Sequence, residues 1–172
     1  ERCAEAASIL KLNNNDFIID IQGDEPMVNP EHINAVIDKI SSLKCEIIVP
    51  YLKCEEFKNK NIVKIVATSK NDVLYMSRSD VPNFFRANES LKKHLSIIAF
   101  TKKSILKFSS YPSSKNEKIE GIELLRAVEN NMKIKTIELK GETKAVDTYE
   151  DLKYVRSEIK YDPLLNKYLY AK

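Results

Sequence analysis

The stretch Asp16-Phe17-Ile18-Ile19-Asp20-Ile21-Gln22-Gly23-Asp24-Glu25-Pro26 constrains the chain more than any other. Phe17, Ile18, Ile19 and Ile21 form a nearly unbroken apolar run, β-branched apart from Phe17, and this predicts a strand buried on both faces of a mainly parallel sheet. Gly23 and Pro26 stop it. Asp24 and Glu25 then fall at the carboxyl end of the strand, where open α/β sheets place their ligand sites and where a hard cation fits. Paired acids after a buried strand also occur as solvated turn residues, and the same pattern is shared with the magnesium site of P-loop NTPases. The pattern alone does not choose between them.

Glycine narrows the choice. The only glycines are Gly23, Gly121 and Gly141, so neither G-x-G-x-x-G nor G-x-x-x-x-G-K-[ST] is present. A P-loop NTPase is opposed, and a phosphate cradle, if there is one, is expected outside this sequence. The opening Glu1-Arg2-Cys3-Ala4-Glu5-Ala6-Ala7-Ser8-Ile9-Leu10 lacks a methionine and reads as a helix under way, with Cys3, Ala6, Ala7 and Leu10 on one face. A truncated chain is the expectation. Its 172 residues suit one domain, 1–172. The 28 Lys and Arg against 25 Asp and Glu are scattered, so no nucleic-acid partner is implied. Cys3, Cys45 and Cys54 lack C-x-x-C pairing and read as reduced thiols. No apolar run approaches the ~20 residues that span a bilayer, and no signal peptide opens the chain, so no membrane partner and a cytoplasmic location are expected.

Further along, Asn29-Pro30-Glu31 is a helix start, followed by Ile33, Val36, Ile37 and Ile40 at amphipathic spacing. His32, in the first turn, reads as an exposed helix residue. Glu46 to Leu52 is a second strand. Asn61 to Thr68 and Val73 to Ser77, joined by Ser69-Lys70-Asn71-Asp72, predict a hairpin. Arg78 beyond it offers a fork to a carboxylate or phosphate, or is a surface arginine. His94 opens a strand over 95–100, and Thr101 starts a short helix. Glu117 to Asn130 is the longest helical segment, with Ile119, Ile122, Leu125 and Val128 on its core side, Glu117, Glu120 and Glu123 on a solvated one, and Gly121 weakening it. Met132 to Leu139 returns as a strand. Thr148 and Asp151 form a capping box for a last amphipathic helix, leaving the Asp147 carboxylate free as a metal ligand or a turn acid.

The segments Glu1–Ala6, Ile21-Gln22-Gly23-Asp24-Glu25-Pro26, Asn61–Val66, Leu74-Tyr75-Met76-Ser77-Arg78-Ser79-Asp80-Val81-Pro82, Lys93-His94-Leu95-Ser96-Ile97, Glu117–Arg126 and Val146–Leu152 occur in an order and spacing that resembles the 3-deoxy-manno-octulosonate (Kdo) cytidylyltransferases, the CMP-Kdo synthetases. The similarity runs from Glu1 to about Ile159. It implies a nucleotide-diphospho-sugar-transferase-like three-layer α/β/α sandwich with a mainly parallel mixed sheet, a hairpin that serves a homodimer, and transfer of CMP from CTP to the anomeric hydroxyl of Kdo. By the resemblance Asp24 and Asp147 are the catalytic Mg2+ aspartates, and Gln22, Arg78, His94 and Glu120 belong to the sugar-acid pocket. Departures are Ser96 in place of the usual glycine, Lys93 in place of tyrosine or arginine, and Tyr149 in place of proline. The tail 161–172 matches nothing, and the family's N-terminal nucleotide loop is absent. Alternatives are a cytidylyltransferase for an 8-amino analogue or a nonulosonic acid, or a non-catalytic sugar-binding or dimerising remnant.

Overall fold

A computed structural model describes residues 1–43, 45–165 and 169. Its elements in chain order are α1 (Arg2–Ile9), β1 (Phe17–Ile21), α2 (Pro30–Ser42), β2 (Ile47–Cys54), β3 (Lys64–Ala67), β4 (Val73–Ser77), β5 (Leu91–His94), β6 (Ile97–Thr101), α3 (Lys102–Ser110), α4 (Lys115–Glu120), α5 (Leu124–Glu129), β7 (Ile134–Glu138) and α6 (Tyr149–Glu158), closed by a 3-10 turn at Ile159–Tyr161. Part of the tail 161–172 lies outside the described residues.

The seven strands make one sheet in the order β1-β6-β2-β5-β3-β4, with β7 along β2. The expectation of a mainly parallel sheet is corrected here. Only β2 with β7 is parallel, and every other pair is antiparallel. The cause is one interrupted strand: β5 and β6 run together against β2, and at Leu95-Ser96 the outer partner changes from β3 to β1. Thus β1 and β2 point the same way across α2, as strand-helix-strand order suggests, but β6 lies between them.

Alternation along the strands feeds two cores. Ile47, Val49, Tyr51, Ile98 and Phe100 pack with Ala4 of α1, Ile105 and Phe108 of α3 and Leu124, Leu125 and Ala127 of α5. Ile48, Ile97 and Ala99 pack on the other side with Val36 and Ile40 of α2 and Ile137. β1 is less buried than its composition suggested, with Phe17 41% and Ile21 39% exposed, because among the described residues it is paired through one edge only. α1 buries Ala4 and Ala7, while Ala6 and Leu10 are exposed.

Local signals set most boundaries. Asn29 caps α2 by accepting from Glu31 N at 2.9 Å, with Pro30 at the first helical position. Thr101, Ser114 and Thr148 each close a capping box. The hairpin β3–β4 forms with a bulge between Val66 and Ala67, its turn held by Thr68 Oγ1 accepting from Lys70 N and Asp72 N. The long helix expected over 117–130 is broken. Gly121 takes φ 63°, ψ 39° after α4, a left-handed terminus that glycine adopts at little cost, and α5 starts anew.

Candidate active-site cleft

β1 ends at the mouth of a cleft of about 920 Å³. Asp20 lines it from the strand, and Gln22, Asp24 and Glu25 line it from the turn that follows, closed by Glu25 N–H donating to Gln22 O at 3.3 Å. Gln22 is tied across the sheet, its N–H donating to Ser96 O at 3.1 Å. Opposite stands the segment 140–147, which carries the chain from β7 to α6 without regular structure. It is fastened at three places. His32 Nε2–H donates to Lys140 O at 2.8 Å, Lys93 Nζ donates to Thr143 O at 3.1 Å, and Val146 N–H donates to Asp24 O at 2.9 Å. The last bond decides the geometry of the site: it sets the residue before Asp147 against the backbone of Asp24, and both aspartates line the same cleft. Neither carboxylate accepts a hydrogen bond among the described residues.

His32 is therefore not the exposed helix residue that its position suggested. It is 5% exposed and clasps the turn at Lys140-Gly141, where the His32 ring lies 3.8 Å from the space a Cβ on Gly141 would fill and Gly141 takes φ +113°. At the start of α6, Asp151 accepts from Thr148 Oγ1 and N and pairs with Lys144 at 2.7 Å, and these bonds, Lys144 first, hold its carboxyl down at about 2. They lock the helix terminus next to Asp147.

The far wall comes from 59–63 and from Arg78. The Arg78 guanidinium donates to backbone carbonyls of Glu120 (2.9 Å), Lys60 (2.9 Å) and Asn61 (3.4 Å), so most of its fork stitches the wall together. Beneath it Lys64 is fully buried, donating to Asn59 O (2.5 Å) and Arg78 O (2.9 Å) and pairing with Asp80 at 3.3 Å. Glu120 accepts from Ser77 Oγ at 2.8 Å and Arg78 N at 2.9 Å, and it does not line the cleft; Gly121, Ile122, Glu123 and Leu124 do. The structure thus brings Gln22, Asp24, Arg78, His94 and Asp147 together and leaves Glu120 as a brace behind them. Glu117, expected on a solvated face, is 8% exposed and bonds Arg126 at 2.6 and 2.9 Å, a pair that fixes the α4–α5 break.

Sequence reasoning missed the floor of the cleft. Glu25 turns inward and is 6% exposed. Its Oε1 accepts from Ser96 Oγ at 3.3 Å, while Oε2 finds no hydrogen-bond partner. Burial pushes its carboxyl up, opposed first by Lys93 and then by Ser96. His94 Nε2 and Thr143 Oγ1 are likewise buried without partners, and burial holds the His94 imidazole down at about 4. Asp20 was legible from its two-residue spacing to Gln22; Lys93, Ser96 and Thr143 meet only through the fold.

A family model described as cytidylyltransferase matches residues 1–134. The chain is 35% identical over 163 residues to 3-deoxy-manno-octulosonate cytidylyltransferase of Wolinella succinogenes, covering 88% of this chain and 67% of that protein. The chain belongs to the 3-deoxy-manno-octulosonate cytidylyltransferase family. Another member, from Fusobacterium nucleatum, is 36% identical over 160 residues, covering 87% of this chain and 63% of its own. Two further members, from Acidobacterium capsulatum and Trichlorobacter lovleyi, are spanned over 59% and 69% of their length. Among solved structures, CMP:2-keto-3-deoxy-manno-octonic acid synthetase complexed with CTP superposes with a TM-score of 0.84 at 27% identity, over 93% of this chain and 67% of that one. The chain therefore has the mixed α/β fold of a nucleotidyltransferase family member.

Proposed function

We propose that the protein is a CTP-dependent cytidylyltransferase that transfers CMP from CTP to the anomeric hydroxyl of Kdo, releasing CMP-Kdo, a precursor for lipopolysaccharide, and diphosphate. The observation that carries the reading is the Val146 N–H to Asp24 O bond, which puts two unengaged aspartates on one cleft in a chain of this family. Oxygen donors of this kind suit a hard divalent cation, and magnesium takes only one or two carboxylates from protein. Among the described residues no group of three or more His, Cys, Asp and Glu is placed to hold a metal ion. Asp24 and Asp147 would hold Mg2+, which when bound neutralises charge on the phosphates and aligns the attacking hydroxyl.

The chain's own side chains do the rest. Gln22 donates through its amide, and His94, kept neutral by burial, presents one ring N–H and one acceptor nitrogen. Both recognise sugar hydroxyls or the carboxylate without adding negative charge. Arg78 shapes the wall through the carbonyls it bonds, Gly121 O at 3.5 Å among them, while Glu120 supports it from behind. Helices on both faces of the sheet support the three-layer reading. β4 ends the sheet and carries Leu74, 55% exposed, which suits the hairpin as the element joining a homodimer. Among the described residues no helix is long and apolar enough to cross a membrane, and use of CTP accords with a cytoplasmic location.

The test is magnesium-dependent release of diphosphate from CTP by the full-length protein with a panel of sugar acids: Kdo, its 8-amino analogue and a nonulosonic acid. Kdo is expected to give the highest kcat/KM. Release with none of the three overturns the reading, and a preference for either relative moves the substrate while keeping the reaction.

A further inference from the structure

The cleft floor holds polar groups that the reaction above leaves unused. Glu25 is more than nine-tenths buried and has one long bond, from Ser96 Oγ at 3.3 Å. Its Oε2 and the neighbouring Thr143 Oγ1 have no partner within hydrogen-bond distance, although both residues line the cleft and the Thr143 hydroxyl lies close enough to the Glu25 carboxyl to help hold it down. Lys93 keeps the charge balanced by lying close to Glu25 and fixes the Thr143 backbone through its carbonyl at 3.1 Å. Buried polar groups in folded proteins find partners in the protein, in ordered water or in a bound ligand, and an orphan at a cleft wall is placed to take the last.

We infer that Glu25 and Thr143, braced by Ser96 and Lys93, form a specificity subsite that recognises a hydrogen-bond-donating substituent of the sugar acid, a hydroxyl or a primary amine, separate from the metal aspartates. This rests on the cytidylyltransferase reading of the same cleft. Glu25 Oε2 accepts from the substituent, and the Thr143 hydroxyl, free to rotate, completes the pair. A site built to bond a substrate hydroxyl rejects the analogue that lacks it, because its own buried groups are then left unpaired. Ser96 holds the other oxygen of Glu25, so it sets the direction in which the carboxyl faces.

The test crosses variants with substrate analogues in the full-length protein. Kdo, its singly deoxygenated analogues and its 8-amino analogue are compared in the parent, Thr143→Val, Glu25→Gln and Ser96→Ala proteins. One deoxygenated analogue is expected to lose at least about tenfold in kcat/KM with the parent. That loss should shrink to under about twofold in Thr143→Val, with the KM for CTP unchanged and the thermal midpoint kept. The 8-amino analogue gaining relative to Kdo in the parent, and losing that gain in Glu25→Gln, assigns the donor as an amine; the reverse assigns a hydroxyl. Equal losses for every deoxygenated analogue across parent and variants overturn the inference, as does a parallel rise in the KM values of both substrates. Calorimetric titration of the same sugar acids without CTP repeats the comparison without turnover. A protein that binds with this pattern but releases no diphosphate refutes the enzyme reading and keeps the subsite, whereas binding indifferent to Thr143→Val refutes the subsite.

Discussion

Two buried glutamates in this molecule have opposite surroundings. Glu117 has both oxygens satisfied: Oε1 accepts from Arg126 Nη2 at 2.6 Å and Ser113 Oγ at 3.3 Å, and Oε2 from Arg126 Nε and Ser114 N at 2.9 Å each. The Arg126 guanidinium holds its carboxyl below the usual range, and Arg126 also lies 4.8 Å above the Phe108 ring. Glu25 has one long bond, an orphan oxygen and a carboxyl pushed up by burial. A buried charge with every lone pair matched is architecture, fixing where α4 stops and α5 begins. One left incomplete beside a cleft is a group awaiting a partner, and the contrast separates scaffold from site more sharply than burial does.

The contrast can be broken by substitution. The largest effect is expected at Asp24→Ala, where loss of the proposed metal carboxylate lowers kcat of diphosphate release by roughly a thousandfold or more while the melting temperature holds; turnover at the parent rate ends the metal role. Next is Arg126→Ala, which strands Glu117 as an uncompensated buried charge and costs about 3–5 kcal/mol in urea unfolding. Its KM values should stay at the parent level in whatever fraction folds, and a stable variant with altered sugar KM would place the pair in the site.

Acid titration sharpens the comparison at His94. Its imidazole sits at about 4 against an ordinary 6.5, so between those values the unfolded chain binds a proton that the folded chain refuses, and stability rises with pH. The contribution is present above pH 6.5 and is lost as pH falls toward 4, with a ceiling of about 3 kcal/mol. Glu25 works in the opposite sense, since a raised carboxyl binds its proton first in the folded state, and Glu117 loses support only below about pH 4.5. Unfolding midpoints at pH 7 and pH 5 should therefore differ in the parent and converge in His94→Asn, which should also raise the sugar's KM more than that of CTP. The smallest effect is expected for Glu25→Gln, whose stability should stay within about 1 kcal/mol of the parent because burial already disfavours the charge; a loss as large as that of Arg126→Ala would make Glu25 scaffold after all.

What could be read from the sequence divides along the same line. Caps at Asn29, Thr101 and Thr148 and the hairpin were legible because their signals are local, and that Asp24 and Asp147 face one cleft was legible through ordered motifs. Strand direction was not: alternation of strand and helix reports that β1 and β2 run alike, but nothing in either strand says that β6 enters between them. His32 looked like a helix surface residue because its partner, Lys140 O, is 108 positions away. Glu117 and Glu120 sat in an acidic run that resembles a wet face, yet Arg126, Ser77 and the Arg78 backbone amide draw both inward. Long-range polar pairing leaves no period in a sequence.

The splice between Val146 and Asp24 is made wholly of main-chain atoms. Any residue other than proline can supply that amide, so the spacing of Asp24 and Asp147 is inherited through topology and survives drift at position 146. Selection can thus rework the side chains that line the cleft around it while the two aspartates stay where the fold puts them.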